Sequence, residues 1–216
     1  MRYDVIIVGA GPGGIFTAYE LTRSNTNLKI GVFEIGNALN KRHCPIDGKK
    51  VKSCISCKTC SIMSGFGGAG AFSDGKYNIT NNFGGTLYEY IGKARATELM
   101  HYVDNINMTH GGEGTKLYTT ANSKFKKLCM QSKLNLLDAS VRHLGTDKNY
   151  IVLENIYAEL KDKVDFYFNT PVQSIATLED GYKVITKKGE FECDKCVVVW
   201  MMRLAGCYCG GDGEKK

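Results

Sequence analysis

The sequence has no hydrophobic run long enough to cross a membrane. Its longest apolar stretch, from Cys196 to Met202, falls far short of the ~20 residues that a membrane-spanning helix needs. No signal peptide precedes the first strand either, because the strand pattern has already begun by Val5. We therefore expect a cytoplasmic protein without a membrane span.

Concentrated charge of one sign is also missing. The 216 residues carry 28 Lys and Arg against 22 Asp and Glu, a net charge of +6, and the basic runs are pairs such as Lys49-Lys50. Proteins that bind nucleic acid usually gather their basic residues on one face, so we expect no nucleic-acid partner. The hydrophobic content of 43% excludes a wholly disordered chain, and no internal repeat is present.

Glycine, with 25 residues, is plentiful, and its most informative cluster follows the first strand. The β-branched run that ends at Val8 is typical of a parallel strand buried on both faces. Gly9, Gly11 and Gly14 follow it in Gly-x-Gly-x-x-Gly spacing and open a helical stretch. This context indicates a dinucleotide site, because glycines let the backbone close on a pyrophosphate at a helix N-terminus. A glycine-rich turn without a ligand is the alternative.

An acidic residue, Glu34, ends the second predicted strand, 20 positions after Gly14. At this position a carboxylate accepts hydrogen bonds from the ribose hydroxyls of the adenosine half. The same negative charge repels a 2′-phosphate. The site is therefore predicted to prefer FAD or NAD over NADP.

The rest of the chain predicts long loops, then helices, then strands. The loops cover residues 38–80, and the helices cover residues 87–104, 120–132 and 148–162. The strands cover residues 164–168, 172–176, 182–186, 190–193 and 196–200, with hairpin turns between them. We predict a first part of a nucleotide-binding domain at 1–84, a mainly helical insertion at 85–162, a return to that domain at 163–200, and a tail at 201–216.

Three segments resemble a known family. Val5 to Glu34 resembles the FAD-binding start of the glutathione-reductase-type flavoproteins. Gly65 to Lys76 and Arg142 to Asp147 resemble one subgroup of these, the bacterial NAD(P)/FAD-dependent oxidoreductases without an assigned substrate. The resemblance extends from Met1 to Val199. It implies an α/β fold, namely a Rossmann-like FAD-binding fold with a parallel sheet, a β-meander and a helical insertion. It also implies an FAD-dependent oxidoreductase (a dehydrogenase), with NAD(P)H as a candidate electron donor and a small molecule or electron carrier as its partner.

The resemblance also assigns cofactor-binding residues. It implies that the ADP half of FAD is held by Gly9, Gly11, Pro12, Gly13, Gly14 and Glu34. Arg42 would lie near the phosphates, and the backbone of Val172 would reach the adenine. Beside the pyrophosphate and flavin would lie Gly67, Gly68, Ala69 and Gly70. Independently, this glycine loop has amides that can approach an anion closely. A flexible surface segment is the alternative, against which Phe66 and Phe72 argue by anchoring both ends of the loop.

The nine cysteines, an odd number in a chain without an export signal, suggest metal binding or redox chemistry. Cys54, Cys57 and Cys60 have the spacing Cys-x2-Cys-x2-Cys, and Cys44 lies just upstream. This set suits an iron–sulfur cluster or a zinc ion. A redox dithiol and unliganded thiols remain alternatives. If the cysteines are primary, the chain is a metal-binding or electron-transfer module.

Acid–base candidates are few. The best histidine is His143, because it lies in the family-like segment, and Asp74 and Lys76 are plausible helpers on the glycine loop. Otherwise the catalytic residues are unknown, which is no objection for a flavoenzyme because its cofactor does the redox chemistry.

The end of the chain departs from the family pattern. Flavoproteins of this type are longer, and small residues are expected where Trp200 and Met201 stand. We therefore expect the N-terminal portion of a longer enzyme. A fragment that keeps the fold without flavin or activity is the further alternative.

Overall fold

The computed structural model describes residues 1–24 and 27–199. In chain order its strands are β1 (Arg2–Val8), β2 (Ile30–Phe33), β3 (Lys76–Ile79), β4 (Leu117–Thr119), β5 (Ser140–His143), β6 (Val164–Tyr167), β7 (Val172–Leu178), β8 (Gly181–Thr186) and β9 (Gly189–Val198). The α-helices are α1 (Pro12–Arg23), α2 (Leu87–Ile91), α3 (Lys93–Asn107), α4 (Phe125–Gln131) and α5 (Gly145–Leu160). Among the described residues, no helix is long and apolar enough to cross a membrane.

The chain forms two compact units. The first contains residues 1–71 and the described residues from 157 onward, and the second contains residues 72–156. A six-stranded sheet in the order β6-β2-β1-β9-β8-β7 forms the first unit. Its strands β6, β2, β1 and β9 are parallel, and β8 and β7 complete an antiparallel meander with β9. This sheet confirms the predicted α/β, Rossmann-like fold with a parallel sheet and a meander.

The core of the six-stranded sheet follows from its apolar strands. All four residues of β2 are buried, as expected for a parallel strand covered on both faces. On one face the Phe33 ring stacks on Tyr167 at 4.6 Å, and Phe191 packs edge-on against Phe33 at 4.8 Å. The hydroxyl of Tyr3 lies 2.8 Å from an Asp165 carboxylate oxygen and 2.6 Å from the Tyr167 hydroxyl. Packing and polar contacts together join β1 to β6 across β2.

The last strand corrects one prediction. Residues 190–193 and 196–200 were predicted as two strands, but Gly189–Val198 forms the single strand β9. The polar residues in its middle do not interrupt it, because the backbone pairing with β1 continues through Lys195. Asp194 also accepts a 2.6 Å hydrogen bond from Arg2. The β1 ladder therefore outweighs the low strand propensity of these two positions.

The second unit is less helical than predicted. Its strands form a three-stranded antiparallel sheet in the order β3-β5-β4, and all three were missed because each has only three or four residues. The helix predicted over residues 87–104 is two helices, α2 and α3, that meet at Gly92. The helix predicted over residues 120–132 is only the seven residues of α4.

A buried ion pair joins β5 to α3 within this unit. Arg142 donates to both carboxylate oxygens of Asp104, at 2.6 and 2.8 Å, and also to the carbonyl oxygen of Thr115. The two charged side chains are only 11% and 9% exposed. A charge pair this far from water requires complete hydrogen bonding, which the bidentate geometry supplies.

Candidate functional site

The turn after β1 brings three strand ends together. The Gly9 N–H donates to the carbonyl of Phe33 at the end of β2, at 2.8 Å, and the Val199 N–H donates to Val8 at 2.9 Å. Gly9 has φ = 105°, in the region that favours glycine. A Cβ there would also lie 2.6 Å from the carbonyl oxygen of Val199. Gly9 is the first glycine of the fingerprint, the Gly-x-Gly-x-x-Gly set of Gly9, Gly11 and Gly14. It therefore shapes the turn and leaves room for the backbone of Val199 after β9.

The N-terminus of α1 opens directly from this turn. Pro12 is the first helical residue, and the first intrahelical bond runs from the Ile15 N–H to the Gly11 carbonyl. The N–H groups of Gly13 and Gly14 accordingly have no acceptor within the helix, and they carry the positive end of the helix dipole. A Cβ on Gly14 would lie 1.9 Å from the Gly9 oxygen, whereas a Cβ on Gly11 would meet nothing within 4 Å. The space in front of Gly11 is therefore open, as an anion cradle requires.

The glycine loop lies against this turn. The Gly67 N–H donates to the Ala10 carbonyl at 2.8 Å, and a Cβ on Gly68 would lie 3.2 Å from the Gly11 Cα. Ala69 and Gly70 follow in a 3-10 turn over Gly68–Phe72. The structure therefore brings Gly67 and Gly68, which are distant in sequence, to the fingerprint.

Phe66 anchors the loop from beneath. Its ring is fully buried and lies 5.0 Å from Tyr157, 5.8 Å from Phe166 and 6.4 Å from Phe168. Because Phe66 immediately precedes the glycines, this aromatic cluster limits how far they can move from Ala10.

Glu34 is hydrogen-bonded to the backbone on both sides of the site. Its Oε2 accepts the Ala10 N–H at 2.8 Å, and its Oε1 accepts the N–H groups of Gly36 at 2.8 Å and Gly65 at 2.9 Å. A carboxylate has about four acceptor positions, so one remains on Oε2. The sequence predicted ribose recognition at Glu34 but did not reveal this role of joining the fingerprint turn to the glycine loop.

Arg42 holds the segment before the glycine loop. Its three guanidinium nitrogens donate to the carbonyls of Ser61 at 2.9 Å, Ile62 at 2.8 Å and Phe66 at 2.6 Å. Burial lowers the pKa of Arg42 to about 10, and the nearby Glu34 carboxylate opposes that shift, so the group stays charged at neutral pH. The resemblance placed Arg42 near the phosphates. The structure shows it bound to these carbonyls, which no spacing signal in an irregular loop identifies, and its place near the phosphates stays a prediction.

Val172 begins β7 close to the end of β2. Two residues before it, the Thr170 N–H donates to the Glu34 carbonyl at 2.8 Å, and the Asn169 N–H donates to Gly36 at 2.9 Å. The segment that leads into Val172 thus borders the same loop as the Glu34 carboxylate. That this backbone reaches an adenine stays a prediction.

The site lies where the strand order reverses. From β1 the chain moves through α1 to β2 and β6 on one side, and it reaches β9 on the other side through the meander. In open α/β sheets, ligands bind beyond the carboxyl ends of the strands at such a switch point. The fingerprint turn occupies that position between β1 and β9.

The proposed acid–base residues lie in the second unit. Lys76 is the register partner of His143, and its ammonium lies 2.6 Å from the Asp74 carboxylate. The hydrogen bond from Lys76 lowers the pKa of the Asp74 carboxyl. All three are exposed, at the end of the β3–β5 ladder where Lys76 pairs with His143. Their grouping is a surface ion pair beside a histidine, and a catalytic role stays a prediction.

The metal site predicted at Cys44, Cys54, Cys57 and Cys60 gains no support from the described residues and stays a prediction. Within residues 1–24 and 27–199, no three His, Cys, Asp or Glu side chains come together in a group that could hold a metal ion. Cys54 is exposed and the other three are half-buried, and they lie in a loop region without strands or α-helices that would bring their side chains together. Although the cysteines are regularly spaced in the sequence, the described structure does not place them together as metal ligands. The departures predicted at Trp200 and Met201, and the tail at 201–216, lie outside the described residues.

Comparison with known proteins finds similarity in structure. Neither a protein-family model nor a curated protein sequence matches the chain. Glycine oxidase from Geobacillus kaustophilus superimposes with a TM-score of 0.50 at 17% identity, over 91% of this chain and 55% of that one. NikD, an unusual amino acid oxidase essential for nikkomycin biosynthesis, gives 0.48 at 13% identity, over 96% and 52%. Glycine oxidase from Bacillus cereus gives 0.47 at 15% identity, over 91% and 54%.

At these sequence identities the similarity between this chain and the solved structures is one of fold alone. The glycine oxidase match extends over both described units and supports the Rossmann-like assignment. The chain spans about half the length of each of these solved structures.

Proposed function

We propose that this chain binds FAD and forms the cofactor-binding part of an oxidoreductase. The observation that carries the proposal is the open space at Gly11, bordered by the N-terminus of α1 and by the glycine loop at Gly67 and Gly68. Free helix N–H groups on one side and glycine-loop backbone on the other suit a pyrophosphate. Oxidases with the same fold support the reaction class.

In this proposal each part of the cofactor has its own residues. The amides of Gly13 and Gly14 bind the pyrophosphate, and Gly67 to Gly70 line its other side. The remaining acceptor position on Glu34 Oε2 takes a ribose hydroxyl, and the backbone at Val172 meets the adenine. When bound, FAD supplies hydride and electron transfer, and the protein supplies position and electrostatics.

The charge at Glu34 favours FAD over NADP. Glu34 is buried, with 6% of its surface exposed, so little water would screen its negative charge from a 2′-phosphate brought against it. NAD lacks that phosphate and is the competing ligand. The glycine loop distinguishes the two, because the proposal places it beside the flavin half of the cofactor.

A binding titration tests the proposal. The purified chain is titrated with FAD, FMN and NAD, followed by flavin fluorescence and by calorimetry, and we expect binding of FAD. Gly11→Val puts a branched side chain into the open space, so it should reduce FAD affinity at least tenfold while leaving unfolding without FAD unchanged. Ala121→Val, at an exposed site in the second unit, is the matched control. Preference for NAD, absence of FAD binding, or full affinity in Gly11→Val would contradict the proposal.

A second measurement concerns the reaction. Reduction of the bound flavin is followed by absorbance with NADH, NADPH and small amines or amino acids as donors. Reduction by a donor would support the oxidoreductase proposal and identify the donor class. Bound FAD that none of these donors reduces would restrict the function to cofactor binding.

A further inference from the structure

The segment 120–138 of the second unit exposes an unusual amount of apolar surface. It contains α4, and none of the seven residues of this helix is buried. Five large apolar side chains are 43% to 70% exposed: Phe125, Leu128, Met130, Leu134 and Leu137. A helix this short has little stability of its own and gains most of it by packing an apolar face. No residue of α4 packs into the core of the described residues, so these apolar side chains remain open to solvent.

Lysines alternate with these apolar side chains. Residues 120–138 contain four lysines (Lys124, Lys126, Lys127 and Lys133) against one acid, Asp138, so the segment carries +3. Lys126 reaches Asp138 at 3.0 Å, and the Lys124 ammonium lies 5.4 Å above the Phe125 ring. The lysines 124, 126 and 127 line one shallow surface depression together with Met130. Positive charge and apolar surface therefore share one patch.

We propose that segment 120–138 binds the surface of an anionic phospholipid bilayer. Such a surface offers negative headgroups to lysine and, just below them, an apolar layer for Phe, Leu and Met. The helix is only about 10 Å long, so it lies in the headgroup region and does not span the membrane. This mode is compatible with the finding that no described helix could cross a bilayer.

The arrangement favours a bilayer over a folded acidic protein. Phe125 and Leu128 lie three residues apart on α4, and Leu134 and Leu137 follow in an irregular segment, so the apolar residues do not continue along a helix. A protein groove requires anchors at i, i+3, i+4 and i+7 on one helix, which the seven residues of α4 cannot supply, whereas a fluid lipid surface takes up apolar side chains from a short helix and from the irregular segment after it.

Vesicle flotation tests the proposal with the full chain. We expect binding to phosphatidylcholine vesicles that contain about 30 mol% phosphatidylserine in about 0.1 M salt, and little binding to pure phosphatidylcholine. Raising the salt to about 0.5 M should weaken binding, because it screens the lysines. The triple change Lys124→Gln, Lys127→Gln and Lys133→Gln should lower affinity about a hundredfold. It leaves Lys126, which has an internal partner.

An apolar variant and a control complete the test. Leu128→Ser with Leu134→Ser should lower vesicle affinity at least tenfold. Tyr90→Ser removes a side chain that is 82% exposed on α2, a helix without lysine, and should leave affinity unchanged. Circular dichroism checks that each variant folds. Failure to bind anionic vesicles, or equal binding to neutral ones, would overturn the proposal. So would tighter binding to a soluble acidic peptide that the leucine changes do not affect.

Discussion

Replacing Glu34 by Gln tests whether this carboxylate organises the site before any cofactor binds. Glu34 accepts three backbone N–H groups, and two of them, on Ala10 and Gly65, belong to the two halves of the proposed cradle. A glutamine amide has one acceptor oxygen and one donor nitrogen. If the nitrogen takes the position of Oε2 it faces the Ala10 N–H, and if it takes the position of Oε1 it faces two N–H groups.

The better orientation therefore still leaves the Ala10 N–H without an acceptor. Ala10 is fully buried, so water cannot replace the lost bond. A hydrogen bond to a charged group contributes about 1.5–3 kcal/mol, and a buried unsatisfied N–H costs about 1–3 kcal/mol. Both figures partly count the loss of the same hydrogen bond, so they do not add in full. We therefore expect Glu34→Gln to lower the free energy of unfolding by about 2–4 kcal/mol in the absence of FAD.

The assay is urea unfolding of the cofactor-free chain, followed by circular dichroism and extrapolated to zero denaturant. Glu179→Gln is the matched control, because Glu179 is exposed in the β7–β8 turn of the same unit, and its effect should stay within about 0.5 kcal/mol. If Glu34→Gln is as stable as this control but binds FAD more weakly, the carboxylate acts on the cofactor alone. That result would refute the reasoning from the backbone hydrogen bonds.

Four further perturbations test the folding and the binding of this chain. Gly11→Ala should leave the free energy of unfolding unchanged or slightly raised but weaken FAD binding, because its Cβ enters the open space proposed for the cofactor. Gly14→Ala should lower the free energy of unfolding by about 1–3 kcal/mol, because its Cβ would lie against the carbonyl oxygen of Gly9. Thermal unfolding and FAD titration of both variants decide this, and equal effects on stability would contradict it. Asp104→Asn should cost about 3–5 kcal/mol in urea unfolding, because it leaves the buried Arg142 charge without its partner; a loss below about 1 kcal/mol would mean that water reaches the pair. A chelator should leave the melting temperature unchanged, because the described residues form no metal-binding group. A clear drop in the melting temperature would mean that the chain holds a structural metal.

Local patterns predicted the elements whose causes are local. The buried β1, the turn at Gly9 and the start of α1 follow from a β-branched run, glycine spacing and Pro12 at the first helical position. Elements that depend on distant partners were predicted less well. The strand β5 has a mostly polar sequence and forms because β3 and β4 pair with it on both sides.

The cysteines and Arg42 show the same limit at the level of sites. The spacing of Cys54, Cys57 and Cys60 suggested a ligand set, yet ligand geometry depends on the path of the loop, which spacing does not specify. The resemblance assigned Arg42 to the phosphates, and the sequence did not reveal that its guanidinium donates to three carbonyls that lie 19 to 24 residues later. A buried cation takes the acceptors that the fold supplies.

The sequence by itself determined that a dinucleotide-type turn follows a buried strand, because glycine spacing and hydrophobic runs act over a few residues. Only the tertiary structure decided that Gly67 meets Ala10, that Glu34 joins both loops, and that the open space at Gly11 lies where the strand order reverses. Those contacts join residues 24 to 57 positions apart. They depend on the packing of the parallel sheet and the aromatic cluster around Phe66, which no local pattern contains.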